Sequence, residues 1–126
     1  MKIRTDYVTN SSSSSFVIAV RSDISKDLDN EIKLWKNKNQ DNIRYIYDTY
    51  KDYKDIKDLK ETEDSIVQYM KDLIRKTISR GMLITDNWKV KSEYCSNEDD
   101  LGDIFFYDCG RSIKDTNMIK IGGYQY

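Results

Sequence analysis

Residues 16–20 read Phe16-Val17-Ile18-Ala19-Val20, the most apolar short run in the chain. The run is rich in β-branched side chains, with serines before it and Arg21-Ser22-Asp23 after it. This length and composition predict a strand buried on both faces, although the period alone does not exclude a short buried helix. We therefore expect residues 16–20 to be the central strand of a sheet.

Five consecutive serines lead into this run, directly after Asn10. Serine and asparagine side chains bond to nearby backbone groups, so the segment favours a turn over regular structure. The simpler interpretation is a solvated connection from a first strand at residues 2–8. The alternative is a loop that holds a phosphate or another anion, although the glycines of a phosphate loop are missing. The residues for that anion site are Arg4, Ser11, Ser12, Ser13, Ser14 and Ser15.

The composition predicts one globular domain spanning residues 1–126, with 38% hydrophobic and 34% charged residues. The net charge of −1 argues against a protein that binds duplex nucleic acid through a large excess of positive charge. No apolar run approaches the length of a membrane span, and the first residues show no secretory signal. We therefore expect a cytoplasmic protein without membrane contact.

The chain contains no histidine. This absence excludes Ser-His-Asp and Cys-His catalysis, histidine proton shuttles and every metal site that needs a histidine ligand. Combined with the lack of an identifiable base for a cysteine nucleophile, it leads us to expect a protein that is not an enzyme and uses no cofactor.

Two segments show apolar side chains at helical spacing, residues 22–38 and residues 63–80. In the second, Thr62 is the expected N-cap and Gly81 the expected left-handed stop. Residues 41–59 fit a helix better than a strand, although the aromatic and β-branched side chains at their start leave a strand open.

The last third of the chain predicts strands. Residues 88–94 alternate in polarity, residues 104–109 form a more buried run, and residues 118–121 a third run. The segments 96–103 and 110–117 would be the turns. Together these patterns predict an α+β fold, in which a small, mainly antiparallel sheet packs against two or three helices.

Carboxylates cluster just before the second of these runs, next to the aromatic residues Phe105, Phe106 and Tyr107. The carboxylates are Glu98, Asp99, Asp100 and Asp103. Hard cations take such ligands, but the run does not match a calcium loop, and an isolated acidic turn is usually solvated. An acidic, aromatic hairpin would instead present negative charge to a partner surface that normally binds phosphates. We therefore expect no metal site and predict a partner-binding face.

Tyrosines are frequent, ten in all, and four of them fall in one short stretch. Tyrosine is enriched at interface hot spots because it gives a large contact area at low entropic cost. The four predicted partner-binding tyrosines are Tyr45, Tyr47, Tyr50 and Tyr53. The competing explanation is codon usage in an AT-rich genome.

The two cysteines, Cys95 and Cys109, are expected to be free and mostly buried. In the predicted hairpin they would lie about 16 Å apart, too far for a disulfide. Two thiolates without histidine also make at most half a zinc site.

The stretch Lys2-Ile3-Arg4-Thr5-Asp6-Tyr7-Val8-Thr9-Asn10, continuing through the serines to Phe16-Val17-Ile18, resembles a known N-terminal signature. That signature opens many small uncharacterised proteins of low-GC Gram-positive bacteria and their mobile elements. The resemblance covers about the first 20 residues and implies a source, but no catalytic residue.

These observations favour a non-enzymatic protein-binding module. By analogy of size, charge and source, it would be a phage- or mobile-element-encoded inhibitor of a bacterial defence complex, as anti-CRISPR proteins are. The alternative function is a small-ligand protein that binds a nucleotide or anion in the polyserine loop. A protein partner is expected, and nucleic acid would be involved only indirectly.

Overall fold

The computed structural model describes residues 13–98 and 100–125 of the protein. The strands are β1 (Ser13–Arg21), β2 (Met82–Thr85), β3 (Trp88–Ser96) and β4 (Ile119–Gln125). The helices are α1 (Leu28–Lys38), α2 (Gln40–Tyr50), α3 (Leu59–Arg80) and α4 (Leu101–Cys109), with 3-10 turns at Ser22–Lys26 and Gly110–Ser112. All strand pairs are antiparallel, in the order β2-β3-β1-β4, so the protein has the predicted α+β fold. The predicted strand at residues 2–8 lies outside the described residues.

β1 is the central strand, as predicted, because it pairs with β3 on one side and with β4 on the other. Phe16, Ile18 and Val20 are buried under the helices, whereas Val17 and Ala19 are only half-buried. The prediction of burial on both faces is therefore wrong. The alternation arises because the described helices pack against one face of the sheet.

The polyserine segment is not a turn where the structure describes it. Ser13, Ser14 and Ser15 are the first three residues of β1, and the Ser14 hydroxyl donates a hydrogen bond to the Gln125 carbonyl oxygen at 2.9 Å. Backbone pairing of all three serines with β3, and of Ser15 also with β4, satisfies the backbone groups that serine side chains would otherwise bond locally. The turn prediction is wrong for these three residues.

The first predicted helix is confirmed, but it is broken at Asp27 into a 3-10 turn and α1. The ambiguous segment 41–59 contains α2, so the strand alternative is wrong. Asn39 separates α1 from α2 and is buried.

α3 begins earlier than predicted. The Asp58 side chain accepts a hydrogen bond from the Glu61 backbone N–H at 2.9 Å and is the N-cap, whereas Thr62 is buried inside the helix. Gly81 ends the helix with an extended backbone at φ −71°, not with a left-handed one. Glycine is favoured there because a Cβ atom would overlap the Thr77 carbonyl oxygen.

The strand predicted at residues 104–109 is wrong, because these residues belong to α4. Asp100 caps this helix by accepting a hydrogen bond from the Asp103 backbone N–H at 3.0 Å. Ile104, Phe105 and Phe106 are all buried, so the short run lacks the polar side that would have revealed its helical period.

The predicted strands at 88–94 and 118–121 are confirmed as β3 and β4, whereas β2 was not predicted.

Aromatic rings fill the space between the sheet and the helices. Phe106 of α4 lies at the middle of this cluster, stacked on Phe16 with ring centroids 5.1 Å apart. Its ring also contacts Tyr69 at 5.3 Å, Phe105 at 5.5 Å and Trp35 at 6.4 Å. The cluster joins β1, α1, α3 and α4 in one core.

Among the described residues, no helix combines the length and apolar character that crossing a bilayer requires.

Candidate functional site

A shallow groove of about 690 Å³ lies between the first half of α3 and the start of α4. One wall is a single stripe along α3, formed by residues spaced three or four positions apart in the sequence, which places them on the same side of the helix. The stripe consists of Glu61, Asp64, Ser65, Gln68, Tyr69 and Asp72. The opposite wall is formed by Lys54 and Ile56 and by the start of α4 at Asp100, Leu101 and Gly102.

The groove exists because α4 approaches α3 very closely at Gly102. This glycine is buried, and a Cβ atom there would overlap the Tyr69 ring. The Tyr69 hydroxyl also donates a hydrogen bond to the Asp103 carboxylate at 2.8 Å. The tyrosine therefore positions the first turn of α4. Its ring and the side chains of Ile56 and Leu101 are the apolar part of the two walls, which we call the apolar floor of the groove.

The rim of the groove is acidic. Four lining residues carry carboxylates and one, Lys54, carries a positive charge; the carboxylates are those of Glu61, Asp64, Asp72 and Asp100. Asp64 pairs with Lys60 at 3.1 Å and Asp72 pairs with Arg75 at 3.6 Å, and all four of these side chains are more than half exposed. Exposed ion pairs are weak, so the basic groups of a partner can replace these lysine and arginine contacts at little cost.

The predicted acidic cluster is divided by the fold. Asp100 lies on the groove rim, and Asp103 is tied to Tyr69. Glu98 is exposed, and Asp99 lies outside the described residues. The predicted hairpin with Phe105 and Phe106 is wrong, because both rings are buried in the core.

The four predicted tyrosines do not share one environment. Tyr45 and Tyr53 are exposed, whereas Tyr47 and Tyr50 are half-buried. The Tyr50 hydroxyl donates a hydrogen bond to the Asp108 carboxylate at 2.5 Å, which links α2 to α4. Burial and this bond raise the pKa of Tyr50 well above its ordinary value. Tyr50 therefore has a structural contact, while Tyr45 and Tyr53 remain the tyrosines that a partner can reach.

The predicted anion site is described only in part. Ser13, Ser14 and Ser15 extend along β1 and do not form a loop, while Arg4, Ser11 and Ser12 lie outside the described residues. Among the residues that the structure describes, no group of three or more cysteine, aspartate and glutamate side chains is placed to hold a metal ion.

Both cysteines are free and buried, as predicted, although the hairpin used for that prediction does not form. Burial, with smaller contributions from nearby carboxylates, raises the pKa of Cys95 and of Cys109 from 9.0 to about 12. A thiol in this state is protonated at neutral pH and is a poor nucleophile.

These thiols predict alkaline destabilisation. The folded protein keeps both protons at pH values where the unfolded chain releases them, so the free energy of unfolding should fall as the pH rises above the ordinary thiol pKa of 9.0. At about pH 10 the loss should be on the order of 1 kcal/mol per thiol, measured by urea unfolding against pH 8. The double variant Cys95→Ala/Cys109→Ala should lose clearly less over this range. An equal loss in the variant would contradict the prediction.

Sequence reasoning missed most of the groove. Only Asp100 of its rim was predicted, although the polar stripe of Glu61, Asp64 and Asp72 is visible as helical spacing on the outer side of α3. Its role becomes apparent only when α4 forms the opposite wall. β2 was also missed, although Met82-Leu83-Ile84-Thr85 is a short apolar run between Gly81 and the turn at Asp86 and Asn87.

The fold and the groove define the class of protein, an α+β protein with an acidic groove over an apolar floor. Comparisons of the chain with protein-family models, curated proteins and solved structures found no match.

Proposed function

We propose that this protein is a non-enzymatic binding module whose acidic groove receives the basic surface of a cytoplasmic partner protein. The observation that carries the proposal is the groove between α3 and α4, with carboxylates on its rim and Ile56, Tyr69 and Leu101 on its floor.

The two parts of the groove would contribute differently to binding. Rim carboxylates attract a positively charged partner over distance and orient it, which mainly increases the association rate. The apolar floor gives a basic segment somewhere to bury an aliphatic or aromatic side chain, which is where most interface energy arises. A partner with both features would bind more tightly than a purely basic one.

The partner we favour is a phosphate-binding surface of a larger bacterial complex. Carboxylates spaced along a helix offer negative charge to lysine and arginine side chains that otherwise bind nucleic-acid phosphates. The N-terminal resemblance to proteins of mobile elements supports an inhibitor of a defence complex, of the anti-CRISPR kind. In this proposal nucleic acid competes with this protein for the same surface of the partner, and this protein does not itself bind nucleic acid.

The small-ligand alternative has less support. Three of the serines proposed for its loop, Ser13, Ser14 and Ser15, are strand residues, and Ser14 is buried. A thermal shift with a panel of nucleotides would still detect such a ligand, because saturating binding stabilises the folded state.

Neutralising the rim should weaken partner binding. The variant is Glu61→Gln/Asp64→Asn/Asp72→Asn/Asp100→Asn, in which asparagine keeps the N-cap of α4. Since exposed charge pairs contribute about 0.2–1 kcal/mol each, four lost charges should weaken binding by about fourfold to a thousandfold. The measurement is quantitative mass spectrometry of proteins captured from a low-GC Gram-positive lysate, with and without nuclease, followed by titration with the captured partner.

The matched control neutralises four exposed aspartates elsewhere, as Asp27→Asn/Asp29→Asn/Asp41→Asn/Asp48→Asn. A specific partner should be retained by the wild type and the control, lost by the rim variant and released by added DNA. Equal capture by all three proteins would remove the groove from the proposal.

A further inference from the structure

β2 is an exposed apolar edge of the sheet. Met82, Leu83 and Ile84 leave 73%, 57% and 58% of their surfaces accessible, and Thr85 is also exposed. Among the strands that the structure describes, β2 pairs with β3 alone, so its outer side presents backbone N–H and C=O groups to any further strand. Such an edge is a template for pairing with another strand.

Two usual protections of an edge strand, charged side chains and proline, are missing from β2. Its four residues include no lysine, no proline and no other charged side chain. The register irregularity between Leu83 and Thr85 is its one departure from regular pairing with β3. An apolar edge without charges favours strand addition over exposure to water, and the four residues of β2 set the length of the pairing.

The two residues that flank β2 carry opposite charges, so each can pair with its counterpart in a second copy of the chain. Arg80 precedes the strand, Asp86 follows it, and neither makes an ion pair with another described residue. When two copies of an antiparallel pair are related by a two-fold axis, the beginning of one strand lies beside the end of the other. Arg80 of each copy would then lie near Asp86 of the second copy.

We propose that two copies of this chain associate through β2, paired antiparallel across a two-fold axis, so that their sheets join into one eight-stranded sheet. The pairing uses the β2 edge of both copies, so this interface closes at the dimer, and β4, the other edge among the described strands, takes no part in it. The flanking charges favour a second copy over an unrelated strand, because both halves of each ion pair are supplied by this sequence.

The dimer is independent of the proposed groove. Arg80 lies eight residues beyond Asp72 on α3, or about 12 Å along the helix axis. Variants at β2 and variants at the groove rim therefore test separate surfaces, and either proposal can fail alone.

The test is the mass of the full chain in solution as a function of concentration, by sedimentation and light scattering. The wild type should rise from 14.9 kDa to twice that mass. Ile84→Lys and Leu83→Lys should remain at the monomer mass. The control Leu34→Lys replaces an equally exposed apolar residue, 52% accessible on α1, and should dimerise like the wild type.

A charge exchange tests the orientation. Arg80→Asp and Asp86→Arg should each raise the dimer dissociation constant about threefold to tenfold, since the two-fold axis repeats the lost pair, and the double variant should restore it. Amide hydrogen exchange of Met82–Thr85 in the wild type should also slow with concentration, a measurement that needs no variant.

A wild type that stays monomeric, a mass that continues past the dimer, or an Ile84→Lys variant that still dimerises would each overturn the proposal. A double charge variant that dimerises no better than its single variants would overturn the two-fold arrangement. If the β2 edge instead binds a strand of an unrelated protein, the mass of the purified wild type would not depend on concentration.

Discussion

Replacing Phe106 by alanine should destabilise the protein by about 3–5 kcal/mol, the range found when a fully buried aromatic ring is removed from a core. Phe106 is fully buried and contacts Phe16, Trp35, Phe105 and Tyr69. The surrounding rings belong to different elements and cannot collapse together into the cavity. Because small domains are stable by only about 5–15 kcal/mol, this loss is a large fraction of the total.

The measurement is the midpoint of urea unfolding, followed by far- and near-ultraviolet circular dichroism. Tyr53→Ala is the matched control, since it removes an aromatic ring that is 81% exposed and should change the midpoint little. If Phe106→Ala unfolds at the wild-type midpoint, the Phe106 ring does not fill the core and the interior packing of α4 is contradicted.

The second large effect is expected at Asn39, between α1 and α2. Its side-chain amide donates hydrogen bonds to the carbonyl oxygens of Trp35 at 2.8 Å and Lys114 at 3.1 Å. Its side-chain oxygen accepts a hydrogen bond from the Lys114 backbone N–H at 2.8 Å. Asn39 is 1% exposed, so water does not reach its amide, and these hydrogen bonds satisfy both the amide and the backbone groups that it contacts.

Asn39→Ala should therefore lower the free energy of unfolding by about 2–3 kcal/mol, because these hydrogen bonds are lost and the Lys114 backbone N–H and C=O groups are left unpaired. The Trp35 carbonyl oxygen keeps its bond from the Asn39 backbone N–H. Urea unfolding with an unchanged slope would measure this loss. Asn37→Ala is the control, an exposed asparagine of α1, and should have a small effect. A loss at Asn39 no larger than that at Asn37 would show that water satisfies these backbone groups equally well.

Sequence patterns predicted the elements that combine a long repeat with a clear polar side. α3 shows its apolar stripe over many turns, and β3 alternates in polarity. The patterns failed for α4, which is short and buried on several sides, because the apolar run at its centre is too short to distinguish a helix from a strand. They also failed for Ser13, Ser14 and Ser15, where pairing with neighbouring strands overrides a local preference for turns.

The candidate site was predictable only in its chemistry. An excess of carboxylates near residue 100 was visible, but Glu61, Asp64 and Asp72 lie about 30 to 40 positions earlier in the chain. The contact between Gly102 and Tyr69 brings these two regions together. No local pattern specifies that contact, because it depends on the packing of two helices against each other.

By itself, the sequence determined that the protein has an α+β fold with a central apolar strand, and that it has no histidine for catalysis or metal binding. These properties follow from composition and from local period, which act within a few residues. The tertiary structure alone decided that α4 is a helix, that the carboxylates of α3 face Asp100 across a groove, and that β2 is an exposed edge. Each of these depends on which distant segments pack together, and burial and pairing across the chain outweigh local preference there.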